Sequence, residues 1–583
     1  MLADKDLISI QEVRTKVEKA YAAWQKYLPY TQEQIDAIVE RMAAAGRANA
    51  QRLAEMAVEE TGYGNAKDKL AKNLLCADLL PRKMRGMKTR GIVREMPEER
   101  VVEIAVPVGV VAAILPTTNP TSTAIYKILI ALKAGNAIVL SPHPRAVRCT
   151  CETAEVLCRA ALEAGAPEDI IQCIDGSTLE ATNALMRHER TGVILSTGGH
   201  GIVKAAYSSG KPAFGVGPGN VPVMLERTAD VPDAVAKVVE GKAFDFGTVC
   251  SSEQALVAEE ALRDRVLSEL KALQVFLCSA AQAEALGKLL LTQNWTVNPK
   301  CVGQPASKIA HMAGFEVPPD TSVLAVELKG VGKEHPLSAE KLSPVLSLYF
   351  VRDFAEGMEI CHSLLRFGGL GHTCVIHSND DARIREYALR MPAMRVLVNT
   401  PAPQGSTGIT TNVFPSMTLG CGAAAGNITS DNIGPQHLMN IKRLAYAVRK
   451  PEEAFEIPSA QAVPVDRKTV AAAVERYLAA RGMAAGGGPS VAAEMVDRFL
   501  SRRGGGLAAA GTAPAAELKS QPPAPTGPPP ARQPVTIVDF VCEQDVREAI
   551  RQSRKIYIGP KTIVTPSARE LASGSDILVL AQR

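Results

Sequence analysis

One cysteine, one asparagine and a few glycine-rich loops carry most of what this sequence offers chemically. Cys250 lies in F-D-F-G-T-V-C-S-S-E-Q, residues 244–254. It follows a glycine-containing turn and precedes Ser-Ser-Glu-Gln, so it is not flanked like a core residue. These neighbours predict a loop or a helix start, where backbone amides and the helix dipole lower a thiol pKa and favour the nucleophilic thiolate. Taken alone, a cysteine is more often a small buried hydrophobe. Three polar or glycine-rich loops give it company: P-T-T-N-P at 116–120, S-P-H-P at 141–144 and S-T-G-G-H-G at 196–201. Backbone amides at Gly198 and Gly199, ahead of a helix over 202–208, predict a pyrophosphate site, although a Gly-Gly pair by itself is more often only a turn.

Each of these loops follows a short apolar run: 110–115, 137–140 and 192–195. Further apolar runs fall at 101–106 and 170–174, and helical patterns at 121–134, 148–163 and 178–187 alternate with them. Strand, helix, strand in succession predicts parallel βαβ units in a doubly wound sheet, with ligands at the carboxyl ends of the strands. Residues 8–60 read as helices, with Val13, Val17, Tyr21 and Trp24 at helical spacing.

Composition sets outer bounds. The chain has 583 residues, 46% of them hydrophobic, and Lys+Arg 65 against Asp+Glu 61 leaves a net charge of only +4. That excludes a global basic field for nucleic acid and predicts a large globular core. The longest apolar stretch, 104–115, contains Pro107 and is short for a membrane helix, so no membrane association is expected. The N-terminus shows no basic region followed by an apolar run, so no signal peptide is expected. Twelve scattered cysteines suit a reducing cytosol better than a disulfide scaffold. Cys149 and Cys151 lack the further ligands a zinc site needs, and no metal is expected.

Read together, the segments resemble the CoA-acylating branch of the aldehyde dehydrogenase superfamily, including bacterial microcompartment enzymes and the aldehyde dehydrogenase half of aldehyde-alcohol dehydrogenases. The resemblance rests on PTTNPTSTAI (116–125), ALKAGNAIVLSPHPRA (131–146), STGGHGIVKAAYSSGKPAFGVGPGN (196–220), FDFGTVCSSEQ (244–254), EKLSPVLSLY (340–349), GGLGHT (368–373) and the stretch 415–445. These occur in family order and span roughly residues 5–455. The resemblance implies an α/β, aldehyde dehydrogenase-like fold. A Rossmann-type nucleotide-binding domain would occupy 1–225, with a possible oligomerisation arm at 86–103. A catalytic α/β domain would follow at 226–430, and a return segment to the core at 431–460.

The same resemblance assigns roles. Cys250 corresponds to the nucleophile, whose thiolate adds to an aldehyde to give a thiohemiacetal, a good hydride donor. Asn119 corresponds to the amide that stabilises the oxyanion, together with the Cys250 backbone N–H. Glu340 corresponds to the carboxylate that grips the nicotinamide ribose. Thr117, Ser141, His143, Thr197, Gly198, Gly199 and Gly217 fall in the nicotinamide-nucleotide contacts. Ser141 and His143 stand where the hydrolytic branch has a lysine on the adenosine ribose, so NAD is expected with NADP left open. His372 corresponds to a histidine near the active site, with a catalytic role in deprotonating coenzyme A or a contact to the cofactor, a structural role being at least as well founded. Cys421 reads as packing. Glu253, three residues after Cys250, is a weak alternative base.

One departure bears on the reaction. Hydrolytic aldehyde dehydrogenases activate water with a glutamate, whereas the matching stretch here, 215–219, reads Gly-Val-Gly-Pro-Gly. Without a placed base, water attack is slow and transfer to the thiol of coenzyme A is favoured. The expectation is oxidation of acetaldehyde or propionaldehyde to acyl-CoA by a dimer or tetramer. The alternatives are a hydrolytic enzyme, opposed by 215–219, and a non-catalytic scaffold, opposed by Cys250, Asn119 and Glu340.

Beyond residue 460 the composition changes. Residues 461–534 read as linker, with glycine clusters at 486–488 and 504–506 and a proline-rich run at 522–530. Within it, 489–503 places Val491, Met495, Val496, Phe499 and Leu500 on one helical face and resembles an encapsulation peptide, which predicts docking to a microcompartment shell or its other cargo. The location that follows is the cytoplasm, in the lumen of such a compartment. Residues 466–482 form a second amphipathic candidate. Residues 535–583 return to ordinary composition, with a helix at 544–552, a strand at 555–558, a helical turn at 567–571 and a strand at 577–580.

Overall fold

Five short apolar runs form one parallel sheet buried on both faces, which explains why they read as continuous and not alternating. The computed structural model describes residues 4–455 except 293, single positions between 468 and 479, and 537–580 except 553 and 573–576. The spatial order of that sheet is Ile171–Cys173, Ala137–Ser141, Val110–Ile114, Thr191–Thr197 and Ala213–Val216. In chain order this is 3-2-1-4-5, so the winding reverses between Val110–Ile114 and Thr191–Thr197. Ligands on such sheets bind in the crevice at that reversal.

The helix Pro120–Lys133 fills the space beside the reversal and is buried along its whole length, as a helix apolar all round must be. Its Lys127 Nζ donates to the carbonyls of Ile114 at 2.6 Å and Leu195 at 2.9 Å, the last turns of the two strands that flank the crevice. Burial pulls this lysine's pKa well down. A buried cation precursor thus pins the two strand ends from which the loops 116–119 and 197–199 depart.

A second parallel sheet of seven strands has the order Val275–Leu277, Val323–Glu327, Val345–Val351, Glu253–Glu259, Val221–Leu225, Gly371–His377 and Ala393–Val398. A third sheet is antiparallel: Gly91–Met96 pairs with Val101–Pro107, which pairs with Met439–Ala445. The arm expected at 86–103 therefore includes a strand from 431–460. Ile92 and Leu444 on this sheet are half exposed.

The chain divides into two compact units, Met1–Glu456 and Ile457–Arg583. The second unit contains three parallel strands, Ile537–Val541, Ile556–Val564 and Leu578–Leu580, with the helices Glu543–Arg551 and Pro566–Ala572. Val541, Val546, Ala549, Ile556 and Ala568 form its core. The strand Ile537–Val541 was not anticipated from the sequence. The encapsulation candidate 489–503 lies outside the described residues, as does most of 466–482. Among the described residues, no helix is long and apolar enough to cross a membrane.

The cysteine expectation needs one correction. Ten cysteines are free thiols, but Cys151 on the helix Val147–Glu163 is disulfide-bonded to Cys173 on the strand Ile171–Cys173. Helix-on-strand packing within one βαβ unit brings their Cα atoms to 5.5 Å, inside the range a disulfide spans.

Candidate active site

The strand ends, the Cys250 turn and the loop around Glu340 together line a cavity of about 480 Å³. Thr117, Asn119, Ser141, His143, Thr197, Gly198, Gly199, Gly217, Cys250 and Glu340 all line it. Ten of the eleven residues picked from the sequence thus meet at one place. The eleventh, His372, is fully buried and is not among the lining residues. Its ring lies behind the Cys250 turn: a Cβ added to Gly219 would meet the Cys250 carbonyl oxygen at 2.0 Å and the His372 ring at 3.3 Å. Nδ1 of His372 shares a hydrogen bond with Thr373 Oγ1 at 3.0 Å, and Nε2 has no partner. Burial, then the nearby Arg395, pushes its pKa down to about 3, so the ring is neutral.

Cys250 itself departs from expectation in two ways. No helix starts there: it lies in a turn between the 3-10 segment Phe244–Gly247 and the strand Glu253–Glu259. The thiol is also not acidified. Burial, then the charges of Glu340 and Cys421, push it up to about 12, with Arg395 pulling the other way. Without a helix dipole the expected acidifying term is missing, and an apolar cavity wall disfavours a standing thiolate.

Glu340 is the one carboxylate among the described lining residues. Its Oε1 accepts from the Gly219 N–H at 3.1 Å. Burial raises it to about 7 against the pull of that N–H, Lys242 and Lys341. The stretch 215–219 lines the cavity through Val216, Gly217 and Pro218 and brings no acid or base. Glu253 points elsewhere: it is buried off the cavity, and its Oε1 accepts from the Ala402 N–H at 2.6 Å.

Two glycines face open space. A Cβ added at Gly199 or at Gly217 would meet no heavy atom within 4 Å, although both positions line the cavity. Gly199 is also the N-cap of the helix His200–Tyr207, whose free amides favour an anion. Ser141 is held by Thr182, Oγ to Oγ1 2.9 Å, and no lining residue is a lysine or arginine.

The sequence reading missed the charges beneath this cavity. Asp245 is fully buried and ion-paired with Lys72 and, at 3.1 Å, with Lys69. Lys72 reaches on to Asn119. Asp245 sits inside F-D-F-G, and the two lysines stand at i, i+3 on the helix Ala66–Leu74. That spacing shares a helix face, but it reads as an ordinary solvated pair in a sequence.

A family profile described as "Aldehyde dehydrogenase family" matches residues 2–280. The chain is 43% identical over 443 residues to the bifunctional aldehyde-alcohol dehydrogenase AdhE of Escherichia coli strain K12, covering 75% of this chain and 50% of that protein. The chain therefore spans about half the length of that relative. A crystal structure of an acetylating aldehyde dehydrogenase from Geobacillus thermoglucosidasius superposes with a TM-score of 0.76 at 51% identity, covering 77% of this chain and 99% of that one. A propionaldehyde dehydrogenase from the Clostridium phytofermentans fucose utilisation bacterial microcompartment gives a TM-score of 0.68 at 29% identity, over 74% of this chain and 97% of that one.

Proposed function

Because the chain belongs to the aldehyde dehydrogenase family, we propose that it oxidises a short-chain aldehyde, acetaldehyde or propionaldehyde, to its acyl-CoA thioester with NAD as hydride acceptor. The observation that carries this reading is the joint lining of one cavity by Cys250 and Asn119 beside a Gly-Val-Gly-Pro-Gly wall that offers no base for water. The names of the acetylating and propionaldehyde relatives add support.

The thiol of Cys250 adds across the aldehyde carbonyl. The S–C bond forms, and the proton ends on the oxygen, giving a thiohemiacetal. Asn119 and the Cys250 backbone N–H stabilise charge on that oxygen. Gly198, Gly199, Thr117, Thr197, Gly217 and Glu340 would hold the nicotinamide nucleotide, with Ser141 and His143 near its adenosine end. When bound, the nicotinamide accepts the hydride that leaves the thiohemiacetal carbon. The hydroxyl proton departs to solvent and a thioester remains on Cys250. The thiol of coenzyme A attacks that thioester, and Cys250 leaves with a proton. A neutral His372 buried behind the turn would act there by shape more readily than by proton transfer.

A homo-oligomer is part of the reading, supported by the half-exposed apolar edge of the arm sheet. Microcompartment targeting rests on 489–503 and on the origin of one structural relative. Removing 483–583 should leave turnover intact while abolishing co-purification with shell proteins; retained co-purification would end that claim. For the reaction, the purified enzyme with NAD, coenzyme A and either aldehyde should form acyl-CoA and NADH together. Cys250→Ala should form neither, and acyl-CoA at the wild-type pace from that variant would overturn the reading.

A further inference from the structure

Asn119 is an N-cap residue that does not cap. It precedes the helix Pro120–Lys133, yet its side chain makes no bond to the helix amides. An asparagine at this position ordinarily accepts from the second or third amide of the helix. Here Oδ1 accepts instead from Lys72 Nζ at 2.5 Å, and Nδ2 donates to the neighbouring Thr118 Oγ1 at 3.1 Å. An amide's oxygen and nitrogen are otherwise interchangeable in shape, but an ammonium group has only donors to offer. Facing Lys72, the asparagine must present oxygen to the lysine and keep its NH₂ for other partners.

Lys72 is itself held. Its ammonium pairs with Asp245. Asp245 also accepts from Lys69 Nζ at 3.1 Å, from Thr248 Oγ1 at 2.6 Å and from the Asn65 N–H at 2.9 Å. Lys69 reaches the Thr118 carbonyl oxygen at 2.9 Å. The Asp245 N–H donates to Asp68 Oδ2 at 2.7 Å. Lys69 and Lys72 are 2% and 3% exposed and Asp245 not at all, so the group is dry enough for its charges to act at close range. One carboxylate therefore ties the loop that carries Asn119, through Lys72, to the turn that carries Cys250, through Thr248.

We infer that Lys72, anchored by Asp245, is a positioning residue that locks the Asn119 side chain with its NH₂ turned to the reacting oxygen. The inference rests on the oxyanion reading of Asn119. The titratable and charged groups around Lys72 are Asp68 and Lys69 on its own helix, Asp245 from the turn before Cys250, and Cys76 one turn on. Burial pulls Lys72 down to about 8 against the attraction of Asp245. A neutral amine can accept as well as donate, so the lock weakens as pH rises through that value.

The test is a double-mutant cycle on the full chain, with kcat and aldehyde KM measured for Lys72→Met, Asn119→Ala and the pair. Lys72→Met should lower kcat on the order of 10²-fold, the loss typical of one absent oxyanion donor, with KM little changed. The pair should be no slower than Asn119→Ala alone. Multiplying losses would overturn the inference and leave the oxyanion reading standing. Asn119→Ala at the wild-type kcat would overturn both. If Lys72→Met does not fold, the pH profile decides without it: the fall in kcat above about pH 8 should be present in the wild type and absent from Asn119→Ala. A fall that persists in Asn119→Ala would overturn the inference.

Discussion

Two buried groups of charge adjoin the Cys250 turn, and they differ in whether their carboxylates are directly paired with lysines. On one side, Asp245 meets two lysines, a hydroxyl and a backbone N–H. Burial pushes its carboxyl up, but Lys72 and Lys69 hold it below the usual carboxylate range. On the other side, Lys242, Glu253, Glu340 and Lys341 are neighbours without being partners. Lys242 donates to the Gln254 amide oxygen at 3.3 Å, and Lys341 to the carbonyls of Leu337 at 2.6 Å and Ala339 at 2.9 Å. Here burial wins: Lys242 falls to about 7, Glu340 rises to about 7 and Glu253 to about 8. Direct pairing holds the Asp245 carboxyl below its usual range, although burial still draws its partner Lys72 down to about 8. The lack of such pairing leaves Lys242, Glu340 and Glu253 near their titration points at working pH. The paired side fixes the Asn119 side chain through Lys72, whereas on the unpaired side only Glu340 reaches the cavity.

The sharpest break of this contrast is at the donor the paired side holds. Asn119→Ala should lower kcat by about 10²–10³-fold, read under saturating aldehyde. Next comes the hub. Asp245→Asn removes the carboxylate ion-paired with both buried lysines and should destabilise the fold by about 3–5 kcal/mol, read from denaturant unfolding.

Predictions on the unpaired side are smaller in turnover. Glu340→Gln should raise the KM for the nicotinamide cofactor about tenfold, as expected for loss of one charged hydrogen bond of about 1.5 kcal/mol, with kcat less affected. Glu253→Gln should leave turnover unchanged and alter only the pH dependence of stability. The folded pKa of Glu253 is raised from 4.5 to about 8. The folded state therefore holds a proton that the unfolded state has lost, and stability falls as pH rises through that window. The variant should lack this fall, which amounts to about 3 kcal/mol between pH 5 and pH 8 in the wild type, measured as thermal midpoints at the two pH values. If Asp245→Asn costs no more stability than Glu253→Gln, the contrast between the two groups fails.

The contrast also marks what a sequence can disclose. The doubly wound half was legible because fully buried parallel strands write themselves as apolar runs, and the loops at their ends as breaks in them. That the loops 116–120, 141–144 and 196–201 share one cavity was legible for the same reason, since loops at a winding reversal converge. Lys69, Lys72 and Asp245 were not, because their meaning lies in pairing across 173 residues of chain, and lysines on a helix ordinarily mark its wet face. The acidified thiol expected at Cys250 failed because a Gly-Thr-Val-Cys turn leads into a strand as readily as into a helix. The strand Ile537–Val541 was hidden by the linker composition before it.

The central claim is that Cys250 becomes acylated and is relieved by a second thiol rather than by water. Rapid mixing of the enzyme with NAD and aldehyde in the absence of coenzyme A tests it directly. The account predicts a burst of one NADH per Cys250 followed by near-silence, and sustained turnover once coenzyme A is added. Steady NADH production without coenzyme A, with free carboxylic acid as product, would contradict it.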